Sequence, residues 1–509
     1  MRHARLLSLL AIAAAGCSGS GLNPNIDQGV GDLAGRDFST TGGPDLATTP
    51  PTNTGTKLVG GMVDFMAGVT SDDRVVYFQG ATLAAIPLAG GTPKTIDSDS
   101  QFATVSGKTV LSFSNADMVT NQVKLTSWNT TTATPTLITS NSGFVGAVSA
   151  DGSKIVYMDN VNATGTLGDI FLANADGTGA VSLVAAVTTD AMGGGCAPQV
   201  AFTPTRVLVA HCPDPGDAGT SVGTLSSYLI AGGGAVDVAT NLQSVSSGNM
   251  FSIDSAGATM IVFDVNSNIV LAAPDGTGTQ PILDGPVLNA YVLKDGSAAI
   301  YVTAANELKR VPLTGAMTPV LLGPTSVTDF APNPLGSFRS PDDKYVIWFN
   351  MAGSVQGVND LFLSSTATPG TELTLDSMAD GFLFGDAFTT DSKRAIFCSA
   401  TDQNLSGTLQ SQPLPTGTQA THSTAVWEVH ATTASNIVYS DNFTTTMVGM
   451  TTIQRGDLRA VDSSGTAAAK LIATQADVGE LLSSGRDKVV YIWKQTAGSE
   501  GLFVATATP

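Results

Sequence analysis

The stretch Ser149 to Ala185 reads SADGSKIVYMDNVNATGTLGDIFLANADGTGAVSLVA. It begins with a turn at Asp151 and Gly152, where Gly accepts a positive φ and Asp can bond its own backbone. The apolar residues Ile155, Val156 and Tyr157 then follow one another without alternation, which is typical of a strand buried on both faces. A second turn lies at residues 175–178. The stretch therefore predicts a unit of short antiparallel strands.

The same unit recurs along the chain. Its third and fourth strands are predicted at Asp169 to Asn174 and at Val181 to Val184. Nine steps separate Tyr77 in the first unit from Tyr491 in the last, so the mean period is about 46 residues, the size of one four-stranded propeller blade. This period predicts an all-β β-propeller of about ten four-stranded blades. The ten apolar triplets begin at Val75, Val110, Ile155, Val207, Ile261, Ala299, Val346, Ala395, Ile437 and Val489.

The pattern S-x-D-G-x-x-I-x-Y, followed by D-I-F-L, D-G-T-G and S-L-V, resembles the repeat of TolB-type β-propellers. The resemblance covers roughly Thr56 to Pro509. It implies the propeller fold, and because TolB-type proteins act through protein contacts, it also implies a protein partner in the cell envelope. A propeller hosts many unrelated activities, so the fold does not identify the ligand.

The two ends of the repeat region are each incomplete. The last unit, Asp487 to Pro509, provides strands as far as Val504 and lacks a fourth strand, whereas Thr56 to Val59 stands alone before the first unit. Pairing the two would remove two exposed sheet edges. We therefore predict one ring that is closed by the N-terminal strand; two smaller rings, or a ring of eight with degenerate copies, are the alternatives.

The N-terminus has the features of an export signal. A basic start and ten apolar residues, Leu6 to Ala15, precede Gly16 and Cys17. Ten helical residues are too short to cross a hydrocarbon core of about 30 Å. The ending resembles a bacterial lipobox, which implies a lipoprotein signal peptide at residues 1–16 and an acylated Cys17 as membrane anchor. The alternative is an ordinary cleaved signal with an incidental cysteine.

The resemblance to lipoproteins also indicates the location of the protein. Ser18 follows the cysteine, and in related lipoproteins this position favours the outer membrane when it is not Asp. We therefore expect an exported outer-membrane lipoprotein that faces the periplasm or the cell surface. Residues 17–55 are rich in Gly, Ser, Thr and Pro and predict a disordered tether with a reach of roughly 35 Å. Residues 56–509 then form the propeller.

The charge of the chain argues against nucleic acid as a partner. The net charge is −19 and only 23 residues are Lys or Arg, so the basic footprint of a nucleic-acid-binding protein is missing.

The sequence also predicts one disulfide. Cys196 and Cys212 flank a hairpin whose midpoint lies at Pro204, and an exported protein can form disulfides, so these two are predicted to pair. Cys398 is predicted to be a small buried hydrophobe.

Motifs for catalysis, metals or cofactors are absent from the sequence. There is no G-x-S-x-G elbow, and His211, His422 and His430 lie outside any zinc motif, which favours rim or strand histidines. The segment from Asp264 to Asn268 resembles a calcium loop but has Ile269 where that loop needs Gly, which favours a turn between two strands. No catalytic, metal-binding or cofactor-binding residue is predicted.

Two functional classes remain. The first is a non-catalytic binding module that engages an envelope protein or glycan; the second is a propeller enzyme, such as a polysaccharide lyase or a hydrolase, that uses channel carboxylates. Convergence of two carboxylates with a His or Tyr in the channel would favour the enzyme. Polar, Gly-rich or Met-bearing insertions favour adaptable contacts and hence the binding module. These insertions are Met192 to Cys196, Pro213 to Gly223, Met351 to Asn359 and Thr444 to Arg455.

Overall fold

The computed structural model describes residues 52–117, 120, 122–132, 134–143, 145–189, 198–212, 222–244, 249–325, 327–329, 338–351, 359–379, 386–399, 406–448, 451–483, 485–494 and 500–509. The predicted signal peptide, Cys17 and the tether as far as residue 51 lie outside these ranges. Within them, no helix is long and apolar enough to cross a membrane.

The described secondary structure consists of strands. The first half of the chain contains β1 Thr56–Gly60, β2 Phe65–Val69, β3 Arg74–Gln79, β4 Thr82–Pro87, β5 Lys94–Asp97, β6 Ser100–Ser106, β7 Thr109–Asp117, β8 Gln122–Asn129, β9 Thr136–Ser142, β10 Gly146–Val148, β11 Lys154–Asp159, β12 Leu167–Asn174, β13 Val181–Thr188, β14 Gln199–Phe202, β15 Arg206–His211, β16 Gly223–Leu229 and β17 Val236–Leu242. The second half contains β18 Phe251–Ile253, β19 Met260–Phe263, β20 Ile269–Ala272, β21 Ile282–Asp284, β22 Val287–Val292, β23 Ala298–Thr303, β24 Glu307–Pro312, β25 Val320–Thr325, β26 Val327–Asp329, β27 Tyr345–Met351, β28 Asn359–Ser365, β29 Leu373–Ala379, β30 Arg394–Ser399, β31 Gly407–Pro413, β32 Ala420–Thr432, β33 Asn436–Val448, β34 Thr451–Asp462, β35 Lys470–Leu482, β36 Lys488–Trp493 and β37 Gly501–Thr506.

These strands form an all-β β-propeller. Strands β2 to β29 make seven separate antiparallel sheets of four consecutive strands, and the remaining strands make one nine-stranded sheet in the order β1-β37-β36-β35-β34-β33-β32-β31-β30. Counted in fours, the described strands make nine blades, with β1 added at the edge of the last sheet. The prediction of about ten separate blades is therefore close but not exact, because the last three sequence units are merged in one sheet.

The apolar triplets form the core of the propeller. All ten lie in strands, namely β3, β7, β11, β15, β19, β23, β27, β30, β33 and β36. In β11, Ile155 and Tyr157 pack against the preceding unit, beside Leu111, while Val156 packs against the following unit, beside Val207. All three triplet side chains are buried. The prediction of a strand buried on both faces is confirmed.

The turn before each triplet is held by a polar side-chain motif. The Ser149 hydroxyl donates to Asp151 at 2.6 Å and accepts the backbone N–H of Lys154 at 2.9 Å, while Gly152 has a φ of +71°. The hydrogen bond from Ser149 is the main reason that the pKa of Asp151 is lowered. The predicted turn chemistry is confirmed here, and equivalent motifs begin at Thr70, Ser340 and Thr389.

The segment that resembles a calcium loop is a turn, as predicted. It connects β19 to β20, and the Asp264 carboxylate accepts the backbone N–H groups of Asn266 and Asn268 at 2.8 and 2.9 Å. The other Asp264 oxygen accepts the side-chain amide of Asn268 at 2.9 Å. Its carboxylate oxygens are therefore used in closing the turn.

The two ends of the described chain meet in the nine-stranded sheet. Thr56 lies opposite Val504 and Gly60 opposite Gly501 where β1 pairs with β37. Residues 52–55 belong to the predicted tether, but Thr54 donates its backbone N–H to the Ile472 carbonyl at 2.9 Å, and Asn53 forms a β-bridge with Ala473. The contacts between the chain start and the sheet therefore begin before Thr56.

The structure describes two of the four cysteines, Cys212 and Cys398. Cys398 is a buried free thiol in β30, as predicted, and burial raises its pKa to about 12. Cys212 is buried directly after β15. Cys196 lies outside the described residues, so the Cys196–Cys212 disulfide stays a prediction.

Removing buried volume between two blades should destabilise the propeller. Leu111 in β7 is 0% exposed, and Leu137 in β9 of the same sheet is 55% exposed. We expect Leu111→Ala to lower the free energy of unfolding by about 2–5 kcal/mol through lost burial and a residual cavity, against about 0.5 kcal/mol for Leu137→Ala. Chemical denaturation of both variants measures the difference. Equal losses would contradict the interpretation of β7 as a strand buried between blades.

Candidate functional site

The structure departs most from regular blades in the nine-stranded sheet. Strands β32, β33 and β35 have 13 residues each and β34 has 12, whereas each other described strand has at most nine. β32 pairs with β31 through its first half and with β33 through its second half, from Val426 to Thr432. β35 likewise pairs first with β34 and then with β36. Each of these two strands therefore belongs to two neighbouring units.

The segment from Thr444 to Arg455, predicted to be a polar loop, is mostly strand. β33 and β34 continue past an irregularity between Asp441 and Thr444, and five further residue pairs follow, from Thr444 with Arg455 to Val448 with Thr451. We call residues 444–448 and 451–455 the hairpin extension. The prediction of a loop is wrong because β-branched residues continue the antiparallel ladder. Only residues 449 and 450 of this segment lie outside the described chain.

The other predicted contact loops are described less completely. Met351 pairs with Asn359 where β27 and β28 meet, and residues 352–358 between them lie outside the described chain. Met192 to Cys196 and residues 213–221 also lie outside it. The hairpin extension is therefore the predicted contact region that the structure describes best.

A charged cluster lies at the base of the hairpin extension. The Arg459 guanidinium is 2.8 Å from Asp441 through Nε and 3.5 Å from Asp457 through Nη2. Burial raises the pKa of the Asp441 carboxyl, although the hydrogen bond from Arg459 opposes that change. Asp457 also accepts the side-chain amide of Asn442 at 2.9 Å and the backbone N–H of Gln475 at 3.0 Å. The cluster therefore joins β33, β34 and β35.

An aromatic pair lies beside this cluster. The rings of Trp427 and Phe443 stack with centroids 4.1 Å apart and an interplanar angle of 5°. Trp427 occupies the register shift between Val426 and Glu428, and Phe443 occupies the one between Asp441 and Thr444. Two irregularities on neighbouring strands are thus linked by one aromatic stack, next to the first residue of the hairpin extension.

Three residues of β32 and β33 form a line that resembles a catalytic arrangement. The Ser440 hydroxyl is 2.6 Å from His430 Nε2, and His430 Nδ1 is 3.7 Å from the Glu428 carboxylate. Hydroxyl, imidazole and carboxylate occur in the order of a nucleophile, its base and an orienting acid. However, the Ser440 residue and the His430 side chain are each 2% exposed.

The surroundings of Ser440 explain why this line does not reach a substrate. A Cβ atom added to Gly456 would lie 2.9 Å from the Ser440 Cβ, so the β34 backbone covers the serine closely. A nucleophile must bring its oxygen to about 3–3.5 Å from the reacting atom. In this arrangement the three side chains instead connect β32 to β33 inside the sheet.

The remaining two histidines also bond serine hydroxyls on neighbouring strands. His211 Nε2 lies 3.3 Å from Ser226, and His422 Nε2 lies 3.0 Å from Ser411. Burial, with a further contribution from the nearby Arg394 charge, lowers the pKa of His422 to about 4. His211 and His422 lie in β15 and β32, as expected for strand histidines. No described group of three or more His, Cys, Asp or Glu residues is arranged to hold a metal ion.

Two carboxylates and a tyrosine also meet away from the channel. The Tyr301 hydroxyl donates to Asp284 at 2.6 Å, and the Lys309 ammonium lies 3.8 Å from Asp284 and 2.8 Å from Glu307. Burial, followed by the hydrogen bond to Asp284, raises the pKa of Tyr301, which remains a neutral donor. These residues lie on β21, β23 and β24, whereas the first strand of each blade borders the channel of a propeller. This cluster of two carboxylates and a tyrosine therefore does not lie at the channel, where such a cluster would favour an enzyme.

One cavity, with a volume of about 450 Å³, lies at the β1 edge of the nine-stranded sheet, and its lining includes no residue of the charged cluster. Lys57, Lys470 and Lys488 are among its lining residues. The Lys57 ammonium lies 5.8 Å from the centre of the Phe503 ring, and Lys470 donates to the Thr508 carbonyl at 3.4 Å. Two of the three ammonium groups are thus engaged with neighbouring residues.

The sequence motifs did not predict the charged cluster, because its members come from three strands. One signal was available: Asp457 and Arg459 are separated by one residue, Leu458, in β34, so they share one face of the sheet. Their partner Asp441 became identifiable only from the pairing of Asp441 with Asp457.

Comparisons with known proteins give only distant similarities. No family model and no curated protein matches the sequence. A eukaryotic initiation factor matches with a TM-score of 0.47 and 12% identity over 73% of this chain and 90% of its own. Dipeptidyl peptidase 4 of Porphyromonas gingivalis matches with a TM-score of 0.43 and 11% identity over 80% of this chain and 65% of its own.

A protein of Agrobacterium tumefaciens assigned as TolB is also among the structural neighbours. Its TM-score is 0.24 at 13% identity, over 53% of this chain and 93% of its own. This chain spans just under two thirds of the peptidase. With identities this low and all three TM-scores below 0.5, the similarities carry no argument about activity.

The lowered pKa of His422 predicts a specific pH dependence of stability. The unfolded state binds a proton near pH 6.5 and the folded state only near pH 4, so this histidine stabilises the fold above pH 6.5 and loses that contribution as the pH falls towards 4. We expect His422→Gln to reduce the fall in Tm between these pH values by about 2 °C. Thermal scans with Thr421→Gln, at the exposed neighbouring position, provide the control. If Tm falls with pH in His422→Gln as steeply as in the wild type, the prediction is contradicted.

Proposed function

We propose that this protein is a non-catalytic binding propeller, anchored by lipid in the bacterial cell envelope. The observation that carries the proposal is the hairpin extension, which leaves the sheet above a charged cluster whose groups bond to one another. A strand pair that continues beyond its neighbours offers a backbone edge for protein contacts, whereas catalysis needs a reactive group that a substrate can reach. Ser440 is covered, and Asp441 and Asp457 both form ion pairs with the single guanidinium of Arg459.

The location is proposed from the N-terminal sequence. A basic start, ten apolar residues and a small-residue site precede Cys17, and acylation there would give a stable anchor if more than one chain is attached. Residues 17–51 would then serve as a tether between the membrane and the sheet contacts that begin at Thr52. Ser18 supports the outer membrane as the anchoring site.

We also propose that the units form one ring closed by β1. Two observations support closure. β1 pairs with β37, and Val75 and Tyr77 of the first unit share one apolar cluster with Val490 and Ile492 of the last. A closed ring leaves no unpaired sheet edge at the junction of the chain ends.

The anchor can be tested by substitution. We expect Cys17→Ser to abolish incorporation of labelled fatty acid and to move the protein from the membrane to the soluble fraction, because no acyl chain can be attached. Ser20→Ala, three residues further on, should leave both properties unchanged. Membrane retention of Cys17→Ser would contradict the lipid anchor.

The absence of catalysis can be tested separately. The purified mature protein should show no turnover of peptide, ester or polysaccharide substrates. The alternative function, a lyase or hydrolase, is represented by the line of Glu428, His430 and Ser440 and by the carboxylates of the charged cluster. Turnover that is lost in Ser440→Ala or Asp441→Asn, while both variants retain the wild-type Tm, would establish the enzyme and overturn the proposal.

A further inference from the structure

The hairpin extension has two outer edges, one along β33 on the β32 side and one along β34 on the β35 side. On the β32 side, the last described pair is Val426 with Asp441, so no residue of β32 lies opposite Thr444 to Val448. On the β35 side, the last pair is Arg455 with Asp477, so none lies opposite Thr451 to Gln454. Within the described ranges, residues 444–448 and 451–454 therefore pair only with each other and leave a row of backbone groups along each outer side.

The sequence of the hairpin extension lacks the usual protection of open edges. Natural edges carry Pro or charged residues that prevent pairing with another chain. Several outer strands of this propeller begin directly after proline: Pro93 precedes β5, Pro135 precedes β9, Pro281 precedes β21 and Pro319 precedes β25. Residues 444–454 contain neither Pro nor a charged side chain, and β-branched residues predominate. This composition suits the addition of a further strand.

The base of the hairpin extension is fixed before any partner binds. Arg455 donates to the Lys494 carbonyl at 3.3 Å, Gln475 donates to the Asn442 carbonyl at 3.1 Å, and the Thr444 hydroxyl bonds Gln475. The Trp427–Phe443 stack lies next to the same base. A preformed edge reduces the entropy lost when a partner strand is ordered on it.

We propose that the hairpin extension binds an extended segment of a partner protein, which adds to one of its edges as a further antiparallel or parallel strand. This inference rests on the proposed function and specifies its recognition mode. Main-chain hydrogen bonds would give affinity, and alternate side chains of the segment would give specificity. An edge of five residues, 444–448, fits a segment of about five or six residues.

The charge of the protein selects the partner. Two copies of this chain, each with a net charge of −19, repel one another, which disfavours pairing of the hairpin with itself. A segment with β-branched residues at its centre and Lys or Arg at its flanks would instead be attracted. The occupant is therefore a basic, extended peptide rather than a second copy.

Peptide selection on the intact protein tests this inference. The probe is a displayed library of random peptides of about twelve residues, and the selected peptides are synthesised and titrated. We expect enrichment of β-branched and basic residues, roughly tenfold weaker affinity when NaCl is raised from about 50 to about 500 mM, and slower hydrogen exchange of backbone amides within residues 444–454 in the complex. Exchange protection distinguishes strand addition from contacts made by side chains alone.

Two sets of variants locate the binding edge. Replacing residues 445–454 by Asn-Gly keeps the Thr444 and Arg455 pair and supplies a two-residue turn, so the blade should retain its Tm while peptide affinity falls at least tenfold. Thr445→Pro and Thr446→Pro form a matched pair, because neighbouring residues direct their N–H groups to opposite sides of a strand. If the peptide adds at the β33 edge, only one of the two should lose binding without a change in Tm.

Each outcome decides a separate point. Selected peptides that bind the shortened variant with unchanged affinity, or leave residues 444–454 unprotected, overturn strand addition at this hairpin but leave the binding propeller intact. A concentration-dependent dimer that disappears on shortening overturns the choice of a partner peptide over a second copy. Failure to select any peptide overturns the inference, and only substrate turnover would overturn the proposed function as well.

Discussion

The whole propeller depends on the burial of the second strand of each unit between two neighbouring units. In β23, Ala299 and Tyr301 pack against the preceding unit, and Ile300 packs against the following one. In β27, Val346 and Trp348 pack against the preceding unit, and Ile347 packs against the following one. One strand thus contributes to two interfaces, so no unit can bury its apolar surface alone. This constraint explains why three apolar residues recur without alternation.

The sequence was most informative where this constraint acts locally. The triplets and the Asp151–Gly152 type of turn identified the second strands, although in β19 the packing is displaced by one residue: Met260 and Val262 face the preceding unit and Ile261 the following one. The merging of the last three units was not predictable from turns. β32 and β35 serve two units each, and no Gly or Pro interrupts β32 to mark where one unit ends.

The candidate site was less accessible to sequence reasoning because its geometry arises from pairing between strands. Asp441, Asp457 and Arg459 form no motif, and they meet only because β33 and β34 pair in one register. The same pairing also determines which polar groups are bonded within the sheet. Polar groups inside the sheet are bonded to one another, which fixes the base of the hairpin extension, while the backbone above that base retains unpaired donors and acceptors among the described residues. In the proposed function, these two parts of the strands would provide rigidity and recognition, respectively.

The pairing of β1 with β37 also governs the order in which the chain can fold. Thr56 and Val504 are neighbours in the sheet although nearly the whole described chain separates them, and the Thr52 backbone N–H donates to the Thr474 hydroxyl across 422 residues. Contacts of such sequence separation carry a large loop-closure entropy and form late. Sheets of four consecutive strands can assemble as the chain emerges, but the first strand must wait for the last. A chain that is truncated near its C-terminus would therefore leave β1 and the first blade without their neighbours, however intact the intervening blades are.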